Sequence, residues 1–227
     1  MKEKHLKVTS PTIVKLLYQI VYDVKSVFEI FGIKYWAIGG TFLGAIRHKG
    51  IIPWDDDADL GIKKKDQKAF LALEPLFNEL GYSLVKMFFG YKLYYTRRVP
   101  KIYPYSFPNL DIFIYDLDSS KKKYVPAYKK ARDTWSKEHY SVKQIEDSEE
   151  RQFGSYKITC PSGYKEIFDR YFGKDWNVVG YREYDHAKEE EVEKVKVRLT
   201  SKERVPAQPI NAVRERRLLM RMKRNLT

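Results

Sequence analysis

The pattern of apolar residues predicts an α+β fold, with helices and strands alternating through most of the chain. Three observations carry this. Val14, Leu17, Val21, Val24, Val27 and Phe28 recur at the three- and four-residue steps of a buried helix face. Leu110-Asp111-Ile112-Phe113-Ile114-Tyr115 is a dense β-forming run of strand length. Glycines punctuate the pattern at Gly32, Gly81, Gly90 and Gly173, where one kind of periodicity gives way to the next.

Each element has its own signal. Ser10 is an N-cap residue and Pro11 suits the first helical position, so a helix is expected over 12–31, ended by Gly32. Residues 35–38 read as a short buried strand entering Gly39-Gly40, and 41–47 as a helix starting behind that turn. Residues 58–62 read as a strand and 65–80 as an amphipathic helix ending at Gly81. Residues 82–88 and 91–98 are the arms of a hairpin turning at Phe89-Gly90. Beyond strand 110–115, residues 119–123 form a solvated turn, 128–136 a helix, 143–152 a polar loop and 161–172 a helix closed by Gly173. Composition shifts near residue 180. Residues 181–200 carry six acidic and five basic side chains, and 201–227 carry two acidic and eight basic. Two parts are therefore expected: a folded domain over 1–180 and a charged, basic C-terminal extension over 181–227, with a helix at 214–224.

Composition excludes several classes. No apolar run reaches the roughly 18 residues that a bilayer span needs. The charged start lacks the apolar core of a secretory signal, and the single Cys160 allows no internal disulfide, so a cytoplasmic protein is expected. The net charge of +13 favours an anionic partner: a nucleotide, a nucleic acid, a phosphorylated glycan or an anionic membrane. RNP, GXXG and zinc-knuckle signatures are absent from the sequence.

The chemistry concentrates in residues 36–60. Gly39-Gly40-Thr41 is followed by Asp55, Asp56, Asp57 and Asp59, with Arg47, His48 and Lys49 between them. Strand alternation puts Asp57 and Asp59 on one face, with Asp55 a possible neighbour, while Asp56 faces away. Two adjacent carboxylates repel unless a cation lies between them, which suits a hard divalent ion, magnesium or manganese, shared with substrate phosphates. Asp111 offers a third acid at the end of its strand, as a further ligand or as a base for an acceptor hydroxyl. Gly39 and Gly40 let backbone amides approach a phosphate, and Thr41 adds a hydroxyl. Arg47 and Lys49 are cations for the same phosphates. His48, Lys92, Arg97 and Arg98 are further basic candidates whose alternative roles are packing and edge protection. Trp54 either stacks or packs. A glycine pair alone is a turn and an acid cluster alone is a solvated loop; their order and the downstream Asp111 separate this stretch from both.

Gly39-Gly40-Thr41-Phe42-Leu43-Gly44-Ala45-Ile46-Arg47-His48-Lys49-Gly50, followed by Ile52-Pro53-Trp54-Asp55-Asp56-Asp57-Ala58-Asp59, resembles the LicD family of the nucleotidyltransferase superfamily. That family includes bacterial phosphocholine transferases, fukutin and fukutin-related protein. Leu110-Asp111-Ile112-Phe113 fits its third-acid strand. Pro161-Ser162-Gly163-Tyr164 and Tyr171-Phe172-Gly173-Lys174-Asp175-Trp176 are similar to its closing segment, so the resemblance covers about residues 12–180. It implies a nucleotidyltransferase-like mixed sheet flanked by helices, here with a helical C-terminal part. It implies transfer of a substituted, phosphocholine-like phosphate from a CDP-activated donor such as CDP-choline to a hydroxyl of a glycan or glycoconjugate, releasing CMP. Carried over by position, Asp57, Asp59 and Asp111 would be the metal-binding and catalytic acids, and Gly39, Gly40 and Thr41 would hold donor phosphate. Arg47 and Lys49 fall in a basic stretch of the family whose roles the motif does not fix. The segment after residue 180 has no recognised counterpart.

Two other readings stay open at this level. The chain could transfer the nucleotidyl group itself, or be a nucleic-acid or anionic-surface module in which the acids are structural. In either enzyme reading the basic tail is a possible contact with an anionic acceptor or membrane surface.

Overall fold

The computed structural model describes residues 6–97, 101–102 and 104–225. In chain order the elements begin with α1 Pro11–Ile30, β1 Tyr35–Ala37, α2 Gly39–Arg47 and β2 Ala58–Lys63. After a 3-10 turn at Lys64–Asp66 come α3 Gln67–Ala72, α4 Glu74–Glu79, β3 Tyr82–Met87 and β4 Gly90–Tyr95. Then follow β5 Lys101–Ile102, β6 Tyr105–Ser106, β7 Asn109–Asp118, β8 Lys123–Pro126, α5 Lys129–Thr134, β9 Tyr140–Ser141 and α6 Val142–Glu146. The last elements are β10 Glu149–Phe153, β11 Tyr156–Cys160, α7 Tyr164–Tyr171, β12 Val179–Asp185, β13 Glu190–Arg198 and α8 Arg217–Arg224.

Among the described residues, seven strands make one mixed sheet, confirming the α+β class. Its path is β1-β2-β7-β4-β3, with β8 on the far half of β7 and β9 on β8. Only β2 and β7 run parallel among these pairs; the rest are antiparallel. Helix α1 lies against β7 and α8 lies against α1. The six periodic residues of α1 are all at most 1% exposed, and full burial of a Leu or Phe contributes about 1.5–3 kcal/mol. Ser10 caps the helix by accepting from the Ile13 amide at 3.4 Å, with Pro11 first in the helix as expected. On the sheet, Trp36 packs against Tyr115 and Tyr140.

Several local expectations are corrected. The helix expected over 65–80 is three short pieces, because Pro75 lacks the N–H needed to continue α3 into α4. The expected loop 143–152 contains α6 and β10. Helix α6 starts with a capping box: Ser141 accepts from the Gln144 amide while the Ser141 amide donates to the Gln144 side chain. The helix expected from 161 starts at Tyr164, because Gly163 takes a left-handed conformation at its N-cap. Beyond residue 180 the chain forms a β hairpin before its helix, which begins at Arg217 rather than 214. The hairpin arm expected to reach Arg98 ends at Tyr95, and Arg98 lies outside the described residues. No helix among the described residues is long and apolar enough to cross a membrane.

Side chains of α1 tether the C-terminal segment. Gln19 donates to the Arg214 carbonyl and accepts from the Arg214 amide, at 2.8 and 3.0 Å. Asp23, fully buried, accepts from Arg216 at 3.0 Å, from Tyr82 at 2.6 Å and from Gln19 at 2.9 Å.

Candidate active site

Sheet register builds the acid cluster. The parallel pairing sets Asp59 of β2 directly opposite Asp111 of β7, and the antiparallel pairing sets Lys92 of β4 opposite Asp111. Paired residues share a face, so an acid, an acid and a cation stand in a row across three strands. Asp57, two residues before Asp59, points the same way. Ala58 and Leu60, on the other face, are sealed in the core. One carboxylate oxygen each from Asp57, Asp59 and Asp111 lies within 4.8 Å of the others.

Gly39 and Gly40 close the site from above. Gly39 has φ 51°, and a Cβ there would stand 3.2 Å from Asp59 Oδ2. A Cβ on Gly40 would stand 2.5 Å from Asp55 Oδ2, closer than real atoms tolerate. Both acids thus approach the start of α2 because no side chain is in the way. Thr41 Oγ1 accepts from the Asp59 amide at 2.8 Å, tying α2 to β2.

The structure groups the expected residues unequally. Gly39, Gly40, Asp55, Asp57, Asp59 and Asp111 all line one cavity of about 340 Å³. Arg47 does not line it but borders a second cavity with Gly40 and Asp55, donating through Nη1 to the carbonyls of Trp176 at 2.5 Å and Val179 at 3.0 Å. Burial lowers its pKa to about 10. Lys49 is exposed, lines no part of that cavity, and is not brought to the acids. His48 is buried against the Glu203 carbonyl at 3.1 Å, and burial, then the Arg47 charge, lowers its pKa to about 3. Trp54 packs and donates to the Tyr181 carbonyl at 3.1 Å. Lys92 is buried, 2.7 Å from Asp111 Oδ1 and donating to Asn109 at 2.8 Å. Arg97 is exposed and borders a different cavity.

The electrostatics fit the sequence argument. Burial pushes the Asp59 carboxyl well above the ordinary range, and Asp57, Asp111 and Asp55 push it further. Asp55 is raised by burial, then by Asp57 and Asp56. Asp111 is raised by burial, with Lys92 opposing. These acids therefore resist full ionisation together, and a divalent cation between them would remove the repulsion. The donor set is all oxygen, with no thiolate, and suits a hard ion.

Sequence reasoning missed two residues, both beyond position 180. Arg182 Nη2 lies 3.2 Å from Asp56 Oδ2. His186 places Nδ1 2.7 Å from Asp56 Oδ1 and Nε2 3.1 Å from Asp57 Oδ2. Burial resists charge on His186, but Asp57, Asp56 and Asp55 outweigh it and raise its pKa to about 10. The only sequence signal was the Arg182-x-x-Asp185-His186 cluster in a stretch otherwise read as a charged extension.

Comparison with known proteins places this geometry. An uncharacterized protein of Rickettsia prowazekii is 32% identical over 146 residues, 64% of this chain and 50% of that protein. Human ribitol 5-phosphate transferase FKRP is 47% identical over 58 residues, 26% of this chain and 12% of its own length. The lipopolysaccharide cholinephosphotransferase LicD of Haemophilus influenzae is 49% identical over 43 residues, 19% of this chain and 16% of its own. The chain thus spans at most half the length of these relatives. The family described as LicD/FKTN/FKRP, nucleotidyltransferase domain, matches residues 32–163, more than half of the chain and the whole of the acid cluster. The mixed sheet, the glycine pair that opens α2 and the three converging acids all fall within this match: the chain is a member of the LicD/FKTN/FKRP family, carrying its nucleotidyltransferase domain.

Proposed function

We propose that the chain transfers a substituted phosphate from a CDP-activated donor to a hydroxyl of a glycan or glycoconjugate, releasing CMP. The observation that carries this is the convergence of Asp57, Asp59 and Asp111 beside Gly39 and Gly40 at the start of α2 in a chain whose named relatives include a ribitol 5-phosphate transferase and a cholinephosphotransferase.

The residues divide the work. Asp57, Asp59 and Asp111 would hold magnesium or manganese, which would neutralise the donor diphosphate and steady the departing CMP. Gly39 and Gly40 bring the first amides of α2 to the phosphate oxygens. Thr41 fixes the Asp59 backbone and so the spacing of the acids. Asp111 takes the proton of the attacking hydroxyl, and Lys92 keeps its carboxyl oriented. On α8, Arg217 and Arg221 are exposed and form a contact for an anionic acceptor or membrane surface. Unchanged acceptor affinity after replacing both by Gln would remove that contact from the proposal.

The test is a thermal-shift screen of CDP-linked donors with and without magnesium. A ligand that binds the native state raises its stability with occupancy. A donor that stabilises the wild type only with magnesium, and does not stabilise Asp57→Asn, supports the proposal. Donor binding indifferent to both magnesium and Asp57 would refute it.

A further inference from the structure

We propose that the β12–β13 hairpin is a wall of the acid site, docked by Arg182 and His186 as positioning residues, with Asp56 their docking carboxylate rather than a metal ligand. This deepens the phosphate-transfer reading and rests on its assignment of Asp57, Asp59 and Asp111.

The hairpin lies beyond the family match, which ends at residue 163. It is nevertheless fastened to the motif residues at several points. Asp56 is only 5% exposed and both its oxygens are engaged from the hairpin, Oδ1 by His186 and Oδ2 by Arg182. The same Arg182 Nη2 lies 3.1 Å from Asp185, and Arg182 Nε donates to the Tyr184 carbonyl at 3.1 Å. The guanidinium is thus fixed within its own hairpin before it meets Asp56. A register shift between Arg182 and Tyr184 marks a bulge at this point, a device that re-aims side chains beside functional sites. The imidazole of His186 then spans Asp56 and Asp57, connecting the docking acid to the first acid of the cluster.

Backbone contacts complete the fit. Trp54 donates to the Tyr181 carbonyl and Arg47 to the Val179 carbonyl. Between those two residues a Cβ on Gly180 would stand 2.6 Å from the Trp54 ring, so the hairpin lies flat on Trp54 only because glycine is there. Once docked, the hairpin lends Tyr181, Glu183 and His186 to the cavity that holds the acids. It also lends Tyr184, Val192 and Lys194 to an adjoining cavity of about 700 Å³ that reaches Lys92 and Asp111. Lifting it would open both to solvent, and with it the low-dielectric surroundings on which the acid cluster depends.

Trypsin digestion of the full chain reads this docking directly, because Lys188, Lys194 and Lys196 are exposed on the hairpin. Cleavage there follows the population of the opened form. Arg182→Ala and Asp56→Asn are each expected to raise cleavage within 182–198 about tenfold, with the rest of the chain intact, and the double variant no further. Arg182→Lys should regain most of the protection. In parallel, manganese alone should raise the melting temperature of the wild type, Arg182→Ala and Asp56→Asn, but not of Asp57→Asn. Unchanged cleavage in both single variants, or fully additive cleavage in the double, overturns the docking. Loss of the manganese response in Asp56→Asn as complete as in Asp57→Asn makes Asp56 a ligand and overturns its assignment. No manganese response in the wild type would instead overturn the three-acid reading, while the trypsin result still decides the docking.

Discussion

Replacing Arg216 by Met tests whether the C-terminal segment is part of the folded unit. Arg216 Nε lies 3.0 Å from Asp23 Oδ2. At an effective dielectric of about 20, unit charges at that distance attract by about 5–6 kcal/mol. The Arg216 side chain is 39% exposed, so water screens much of this, and the desolvation of Asp23 cancels more. A net loss of about 2 kcal/mol follows. Tyr82 and Gln19 still hydrogen-bond the carboxylate, which keeps the loss below that of an orphaned buried charge. In a chain of this size, that is a fall of about 4–8 °C in melting temperature. The pH dependence has a definite sign. Burial raises the Asp23 pKa, with Tyr82 and Arg216 opposing, so losing Arg216 raises it further. An acid with a raised folded pKa contributes stability at low pH that is lost as pH rises through that pKa. The deficit should therefore be smallest near the ordinary carboxylate pKa of about 4 and grow toward neutrality. Urea unfolding followed by tryptophan fluorescence at several pH values measures it. Arg217→Met, at the exposed next residue, the first of α8, is the control and should change stability by less than about 0.5 kcal/mol. A deficit for Arg216→Met no larger than the control's, or one that does not vary with pH, would refute the tether.

Asp59→Asn removes one of the crowded carboxylates. Without metal it should stabilise the fold by about 1 kcal/mol, while abolishing the thermal shift given by magnesium; destabilisation in EDTA would contradict the repulsion argument. His48, facing Arg47 and Arg204, donates from Nε2 to the Glu203 carbonyl and accepts at Nδ1 from Arg47 Nε, and its pKa is lowered to about 3 by burial and then by Arg47. Its contribution is complete above the ordinary histidine pKa of about 6.5 and is lost progressively below it, at up to about 1.4 kcal/mol per pH unit. His48→Gln should flatten the stability profile in that window, and an unchanged profile would show that the imidazole is not held neutral.

The parts of the fold set by local pattern were legible. The face of α1 and the Asp57/Asp59 alternation follow from periodicities of 3.6 and 2, whereas Gly39 and Gly40, expected as a turn before the helix, are the first residues of α2. The pairing of Asp59 with Asp111 was not, because a parallel register joins segments some fifty residues apart and only tertiary contact fixes it. The burial of Lys92 was hidden for the same reason: on its own strand it looks like an edge lysine, and its partner is on β7. The docking hairpin escaped because its faces read as mixed charge. Glu183, Lys194 and Lys196 are solvated, while Arg182 and His186, a residue or three away, turn inward to acids more than a hundred residues earlier. The hydrogen bond that Thr41 Oγ1 accepts from the Asp59 amide was also hidden, because it joins α2 to β2 across eighteen residues of chain.

The most direct test of phosphate-group transfer at the three acids is product analysis. The chain would be incubated with a CDP-linked donor, magnesium and a glycan acceptor, and the products resolved by phosphorus NMR. CMP should appear in equal amount with a new phosphodiester on the acceptor, and neither should form with Asp57→Asn. Pyrophosphate and a nucleotidylated acceptor from a nucleoside triphosphate, with no CMP from any CDP-linked donor, would contradict it.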